Sequence, residues 1–294
     1  MSDEVVVSVI IPNYNHARYL SQRIDSVLLQ TYQHFEVIIL DDCSTDASRE
    51  VIESYRSQPR VSQIVYNEQN TGSPFRQWER GIQLAKGRYI WLAESDDYAA
   101  PAFLETLIGL TQRYPNVGIA FCGSYWVSDT GQEGKDLSVY QESFFREGPE
   151  EVKQVLSRSC SIQNASSSIV RRELAAQAVA NLGQYRACGD WIFYIRVLQQ
   201  SNLVFTGQKL NSFRWYHSNT SNSASKNGVW LTEGIKVLRA IDYRKVRFSP
   251  REFYDLLQFW RGKAKYMKLE KEAHLNQNVT KALIKYAWDN VTSL

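Results

Sequence analysis

The chain has 294 residues, 44% of them hydrophobic and 22% charged, with a net charge of +3; that length buries a sizeable core, and that composition excludes a disordered or collagen-like protein. Four scattered cysteines without a C-x-x-C pair exclude a zinc knuckle or disulfide framework and suit a reducing compartment. Residues 239–294 hold 12 Lys and Arg against 6 Asp and Glu, which leaves the remainder slightly acidic and speaks against nucleic-acid binding.

Val5 to Ile11 is β-branched and almost unbroken in apolarity, the pattern of a strand buried on both faces of a parallel sheet, and Pro12 closes it. From Ala17 to Gln30, Leu20, Ile24, Val27 and Leu28 recur at helical spacing, and Phe35 to Leu40 reads as a second buried strand. Ser44, Thr45 and Asp46 offer capping oxygens to a helix carrying Val51, Ile52 and Tyr55, before a strand at Val61 to Tyr66. A helix near Phe75 to Lys86 is expected to stop at Gly87, followed by a strand from Arg88 to Ala93, a helix opening at Pro101, and a strand from Val117 to Cys122. This alternation predicts an α/β fold, a doubly wound and mostly parallel sheet flanked by helices.

Beyond Gly123 the rhythm loosens, with helices near Glu150 to Leu156, Glu173 to Asn181 and Asp190 to Gln200. The expected division is a domain over 1–240, with a nucleotide-binding half (1–122) and an acceptor half (123–240), and a C-terminal helical subdomain over 241–294. That basic tail is either a solvated helical face or a patch for anionic lipid or another acidic partner. The sequence has neither a signal-peptide pattern nor the roughly 20 apolar residues of a spanning helix, so a cytoplasmic location is expected, with peripheral contact at the inner membrane face through the tail.

Ligands of open parallel sheets bind beyond the carboxyl ends of the strands. Three such ends are polar here: Pro12-Asn13-Tyr14-Asn15, Asp41-Asp42-Cys43-Ser44-Thr45-Asp46 and Glu94-Ser95-Asp96-Asp97. Adjacent carboxylates repel unless a cation or good donors lie close, so a divalent metal gripping a diphosphate is plausible there. Helix capping is the competing explanation for Asp42 and Asp46, and is preferred for Asp46. A chain with neither G-x-x-x-x-G-K-[ST] nor G-x-G-x-x-G lacks the phosphate cradle of a P-loop NTPase or dinucleotide enzyme. A haloacid-dehalogenase phosphatase needs an Asp two residues after its nucleophile, where Asp41 is followed by Cys43.

Ser8-Val9-Ile10-Ile11-Pro12-Asn13-Tyr14-Asn15, the Asp41 to Asp46 segment and Ser95-Asp96-Asp97 resemble, in order and spacing, the family 2 inverting glycosyltransferases of the GT-A fold. The resemblance implies a nucleotide-diphosphate sugar donor, UDP-sugar favoured, and a glycan or lipid-linked acceptor. It also implies that Tyr14 stacks on the donor base, that Pro12 belongs to the donor-binding set, that Asp41 or Asp42 accepts a hydrogen bond from the base, that Asp96 holds the ribose, and that Asp97 ligates Mn²⁺ or Mg²⁺. Cys188-Gly189-Asp190-Trp191 is similar to the family's Glu-Asp motif before an aromatic, which makes Asp190 the base, with Gly189 where Glu is common; helix capping is the alternative for Asp190. Phe213 to His217 resembles a late basic-and-histidine segment that would bring His217 to the metal or a phosphate. Asn70 and Gly72 match the family's turn, after which Arg76 would reach the base or phosphate, while Trp78 reads as a core aromatic. A catalytically inactive nucleotide-sugar-binding or scaffold protein of the same fold is the alternative function.

Overall fold

A computed structural model describes residues 5–130, 132–136, 138–215, 229–266, 281 and 284–286. Its first half runs β1 (Val7–Asn13), α1 (Ala17–Leu28), β2 (Phe35–Asp41), α2 (Ser48–Ser54), β3 (Val61–Tyr66), α3 (Pro74–Leu84) and β4 (Tyr89–Leu92). Then follow β5 (Tyr98–Ala99), α4 (Phe103–Arg113), β6 (Val117–Val127), β7 (Glu133–Asp136), β8 (Phe144–Glu147), and α5 (Gly148–Glu151), which passes into a π-helical turn at Val152–Leu156. The last described elements are β9 (Ser168–Arg171), α6 (Arg172–Ala178), α7 (Gly189–Leu198), β10 (Asn202–Arg214), α8 (Val229–Gly234), α9 (Val237–Ala240) and α10 (Pro250–Tyr266).

The sheet order is β3-β2-β1-β4-β9-β6-β10-β5. Strands β3, β2, β1 and β4 are parallel, in register from Val7 opposite Phe35 to Asn13 opposite Asp41. β9 enters antiparallel between β4 and β6, so the second half, where the sequence rhythm loosens, is mixed. Alternation along each strand divides the core into two layers. Val9, Ile11, Val37, Ile39 and Trp91 face the cluster under α1 and α4, while Ile10, Ile38, Leu40, Ile90 and Leu92 face the one under α3, α6 and α7. Because β2 lies on one side of β1 and β4 on the other, the chain reverses direction at β1, which opens a crevice beyond the carboxyl ends of β1 and β4.

Two local expectations change. α3 ends at Leu84, and Gly87 does not cap it; a Cβ on Gly87 would lie 2.6 Å from the Ser8 nitrogen, so glycine is required where the chain crosses the start of β1. The described part of the C-terminal segment has no core of its own: Phe253, Leu256, Leu257 and Trp260 join the α7 layer, and the Trp260 indole donates to the Ser157 carbonyl at 3.0 Å. Among the described residues, no helix is long and apolar enough to cross a membrane.

Candidate active site

The crevice holds a cleft of about 500 Å³, a size suited to a nucleotide-sized ligand. Pro12, Tyr14, Asp42, Glu94, Asp96 and Asp97 line the strand-end side, and Gln163, Asn164, Arg186, Asp190 and Phe213 come from the second half of the chain. Asn15 and Cys43 turn the chain away from β1 and β2 with φ of 56° and 63°. Tyr14 is left 45% exposed at the rim, free to meet a planar ring.

Asp41 and Asp42 are buried and serve different sides of their turn. Asp41 accepts from Asn13 Nδ2 at 2.8 Å and from the Ser44 backbone N–H and hydroxyl, behind the cleft wall. Asp42 faces the cleft, but its oxygens already accept from Asn67, Gln77 and Thr71. Asp46 accepts from the N–H of Ala17 at the start of α1 and of Ser48 at the start of α2, each at 2.9 Å, which is the capping role preferred from the sequence.

The two adjacent carboxylates after β4 differ sharply. Asp97 is 1% exposed; Asn164 Nδ2 at 2.9 Å, Ser166 Oγ at 2.7 Å and the Arg214 backbone N–H at 3.0 Å donate to it, and the buried Arg23 guanidinium lies 3.9 Å away. The Arg214 side chain points away from the cleft, binding the Asp96 carbonyl at 2.8 Å, the Ser128 and Asp129 carbonyls and Gln22. Asp97 thus reaches the cleft wall with its oxygens already engaged, Arg23 and Arg214 brace the turn, and Asp96 is the half-buried, more exposed member of the pair. Burial, and then the Asp96 charge, push Glu94 up to about 8, although the Trp78 indole donates to it at 2.8 Å.

Asp190 lies in the first turn of α7 with one oxygen accepting the Trp191 N–H at 2.7 Å. Burial raises its carboxyl to about 6, opposed by the N–H groups at the helix start. A Cβ on Gly189 would sit 2.6 Å from the Phe75 ring, so the space that Glu would need in the related motif is filled by an aromatic from α3. Arg76 is not brought to the cleft; its side chain lies along Gly183, and the adjacent Gln77 supports Asp42 instead. His217 lies outside the described residues. Two further residues reach the cleft without a signal in the sequence: His16, whose Nδ1 is 2.8 Å from Ser95 Oγ, and Arg186, the sole Lys or Arg among the described residues lining the cleft. No periodicity or motif distinguishes either from an ordinary surface residue.

A sequence profile described as Glycosyl transferase family 2 matches residues 8–177, over half of the chain. The chain belongs to this family. Among curated relatives, glycosyltransferase GlyG of Streptococcus pneumoniae is 37% identical over 108 residues, 37% of this chain and 36% of GlyG. The matched part thus spans about a third of that protein. An uncharacterised glycosyltransferase of Nostoc sp. is 26% identical over 86% of each chain. Among solved structures, Staphylococcus aureus TarS residues 1–349 in complex with UDP-GlcNAc superposes with a TM-score of 0.68 at 17% identity, covering 97% of this chain and 81% of that one. A mannosyltransferase of Pyrobaculum calidifontis in complex with GDP-Man and Mn²⁺ gives 0.59 at 14% identity over 97% and 88%. The family 2 chain therefore has the GT-A fold.

Proposed function

We propose that this family 2 chain is an inverting glycosyltransferase that moves a sugar from a nucleotide-diphosphate sugar, UDP-sugar favoured, to a hydroxyl of a glycan or lipid-linked acceptor. The observation that carries this reading is the sharing of one cleft by an exposed aromatic and carboxylates at strand ends with a second carboxylate, Asp190, from the other half of the chain. Tyr14 stacks on the base, Pro12 borders it, and the Asp42 turn supplies the polar edge. Asp190 accepts the proton of the acceptor hydroxyl as that oxygen attacks the anomeric carbon from the face opposite the diphosphate; the bond to the phosphate oxygen breaks and the nucleoside diphosphate leaves.

Among the described residues no three His, Cys, Asp or Glu side chains are grouped to hold a metal unaided. A divalent cation nonetheless fits this site if diphosphate and water complete its ligands, because Asp96 brings a half-buried carboxylate to the cleft wall. The resemblance gave the metal to Asp97 and the ribose to Asp96; with Asp97 tied up by buried donors, Asp96 would instead face Mn²⁺ or Mg²⁺, and Asp97 would hold the turn that carries it. When bound, the cation neutralises charge on the departing diphosphate. The UDP-GlcNAc complex of TarS and the Mn²⁺ complex of the mannosyltransferase support both choices by analogy of fold.

The test is release of nucleoside diphosphate from a panel of UDP- and GDP-sugars with and without Mn²⁺. Metal-dependent UDP release is expected; tight nucleotide binding with no cleavage of any donor would instead favour an inactive sugar-nucleotide-binding scaffold. A basic C-terminal face that meets anionic lipid, at the cytoplasmic side of a membrane, remains part of the proposal.

A further inference from the structure

Glu233 belongs to no motif, lies beyond the segment matched by the family, and ends far from the strand-end carboxylates in sequence. Its carboxylate is nonetheless buried, 6% exposed, and three successive backbone N–H groups converge on it: Arg186 at 2.9 Å, Ala187 at 2.9 Å and Cys188 at 3.0 Å. Successive N–H groups aimed at one point form an anion-binding concavity, and bonds to an ionised acceptor are about twice as strong as neutral ones. The clamped residues are the ones that matter for the cleft. Arg186 and Ala187 line it, and Cys188 leads into α7, where Asp190 follows two residues later. The backbone beside it is closely packed: a Cβ on the neighbouring Gly234 would lie 3.2 Å from Trp260 and 3.3 Å from Trp191.

We propose that Glu233 is a positioning residue for the transfer reaction, holding the Arg186 to Cys188 segment so that Asp190 faces the acceptor hydroxyl. This rests on Asp190 as base. Glu233 does not touch the reacting atoms; it acts through three peptide N–H groups and through its charge. The groups facing Asp190 are Cys160 from the loop before β9, Cys188, Tyr194 one turn along α7, and Glu233. Burial pushes both thiols and the phenol upward, so these stay neutral; burial is also the main cause that raises Asp190, and the Glu233 charge adds a smaller push in the same direction.

The experiment compares the full chain with Glu233→Gln and Glu233→Asp. Four readouts are taken: UDP release from UDP-GlcNAc, or from the best donor of the panel, as a function of pH; calorimetric binding of UDP with Mn²⁺; amide exchange at Arg186 to Cys188; and Asp190 titration by carboxyl carbon NMR. In Glu233→Gln, kcat is expected to fall about 10- to 100-fold, the scale of a displaced catalytic group. UDP binding should stay within about twofold by the same reasoning, since the strand-end side is untouched. The acidic limb and the Asp190 titration should move to lower pH, and the three amides should exchange faster. Glu233→Asp, which keeps the charge, should restore the acidic limb.

Unchanged kcat and an unchanged limb would overturn the proposal, as would UDP binding and kcat falling together with thermal stability, the mark of a merely structural residue. If Glu233→Gln does not fold, the Asp variant decides on the same terms: reduced kcat with intact UDP binding supports the proposal and parallel loss overturns it. A parent chain that cleaves no donor defeats the proposed function. The amide exchange and Asp190 titration then still judge the clamp, and unchanged values would sink it.

Discussion

Asp190 can accept a proton only when ionised, and burial holds its carboxyl at about 6. Turnover should therefore rise about tenfold per pH unit below that value and level off above it, because the raised carboxyl is charged only on the alkaline side. Asp190→Asn should lower UDP release by about two to four orders of magnitude and leave nucleotide binding intact, as measured by turnover beside calorimetry. The Asp96 and Asp97 pair separates in another way. Asp97→Asn leaves Arg23 and a set of buried donors facing an amide, so it should cost about 3–5 kcal/mol and lower the melting temperature. Asp96→Asn should lower the melting temperature less than Asp97→Asn but should weaken Mn²⁺-dependent UDP binding about tenfold or more, since a hard cation loses its charged oxygen. Equal effects of the two substitutions would contradict the division of roles.

At the scale of elements, the contact between α3 and α7 explains the departure at position 189. Phe75 lies edge-on to Trp78 with ring centroids 5.0 Å apart and presses against Gly189, so the start of α7 approaches α3 closely. Gly189→Ala is expected to destabilise by about 1–3 kcal/mol through overpacking, read as a lowered melting temperature, and pairing it with Phe75→Leu should recover part of the loss. Most elements were legible because their signals are local: Val61 to Tyr66 appears as a strand with the expected bounds, and Leu104, Leu107 and Ile108 are buried along α4 as their spacing requires. Gly87 misled because a glycine after a helix looks the same in sequence whether it caps that helix or makes room for a distant strand.

For the whole molecule, α10 shares one core with the family domain. Trp260 is fully buried against Trp191, with ring centroids 6.0 Å apart. Trp260→Ala should therefore cost about 3–5 kcal/mol and lower a single thermal transition, whereas an independent helical unit would melt separately and leave UDP binding untouched. The sequence by itself determined the alternation of strands and helices, the two-layered core and the strand ends that face the cleft, since hydrophobic periodicity and strand-end polarity need only neighbouring residues. Which of two adjacent carboxylates turns outward, why Arg76 leaves the cleft, and what holds Asp190 were decided only by tertiary structure. Asp97 is drawn inward by the N–H of Arg214, 117 positions away, Arg76 is laid against Gly183, and the segment before Asp190 is gripped by Glu233, 45 to 47 positions on. A buried charge goes where its donors are, and those donors come from parts of the chain that no local pattern connects.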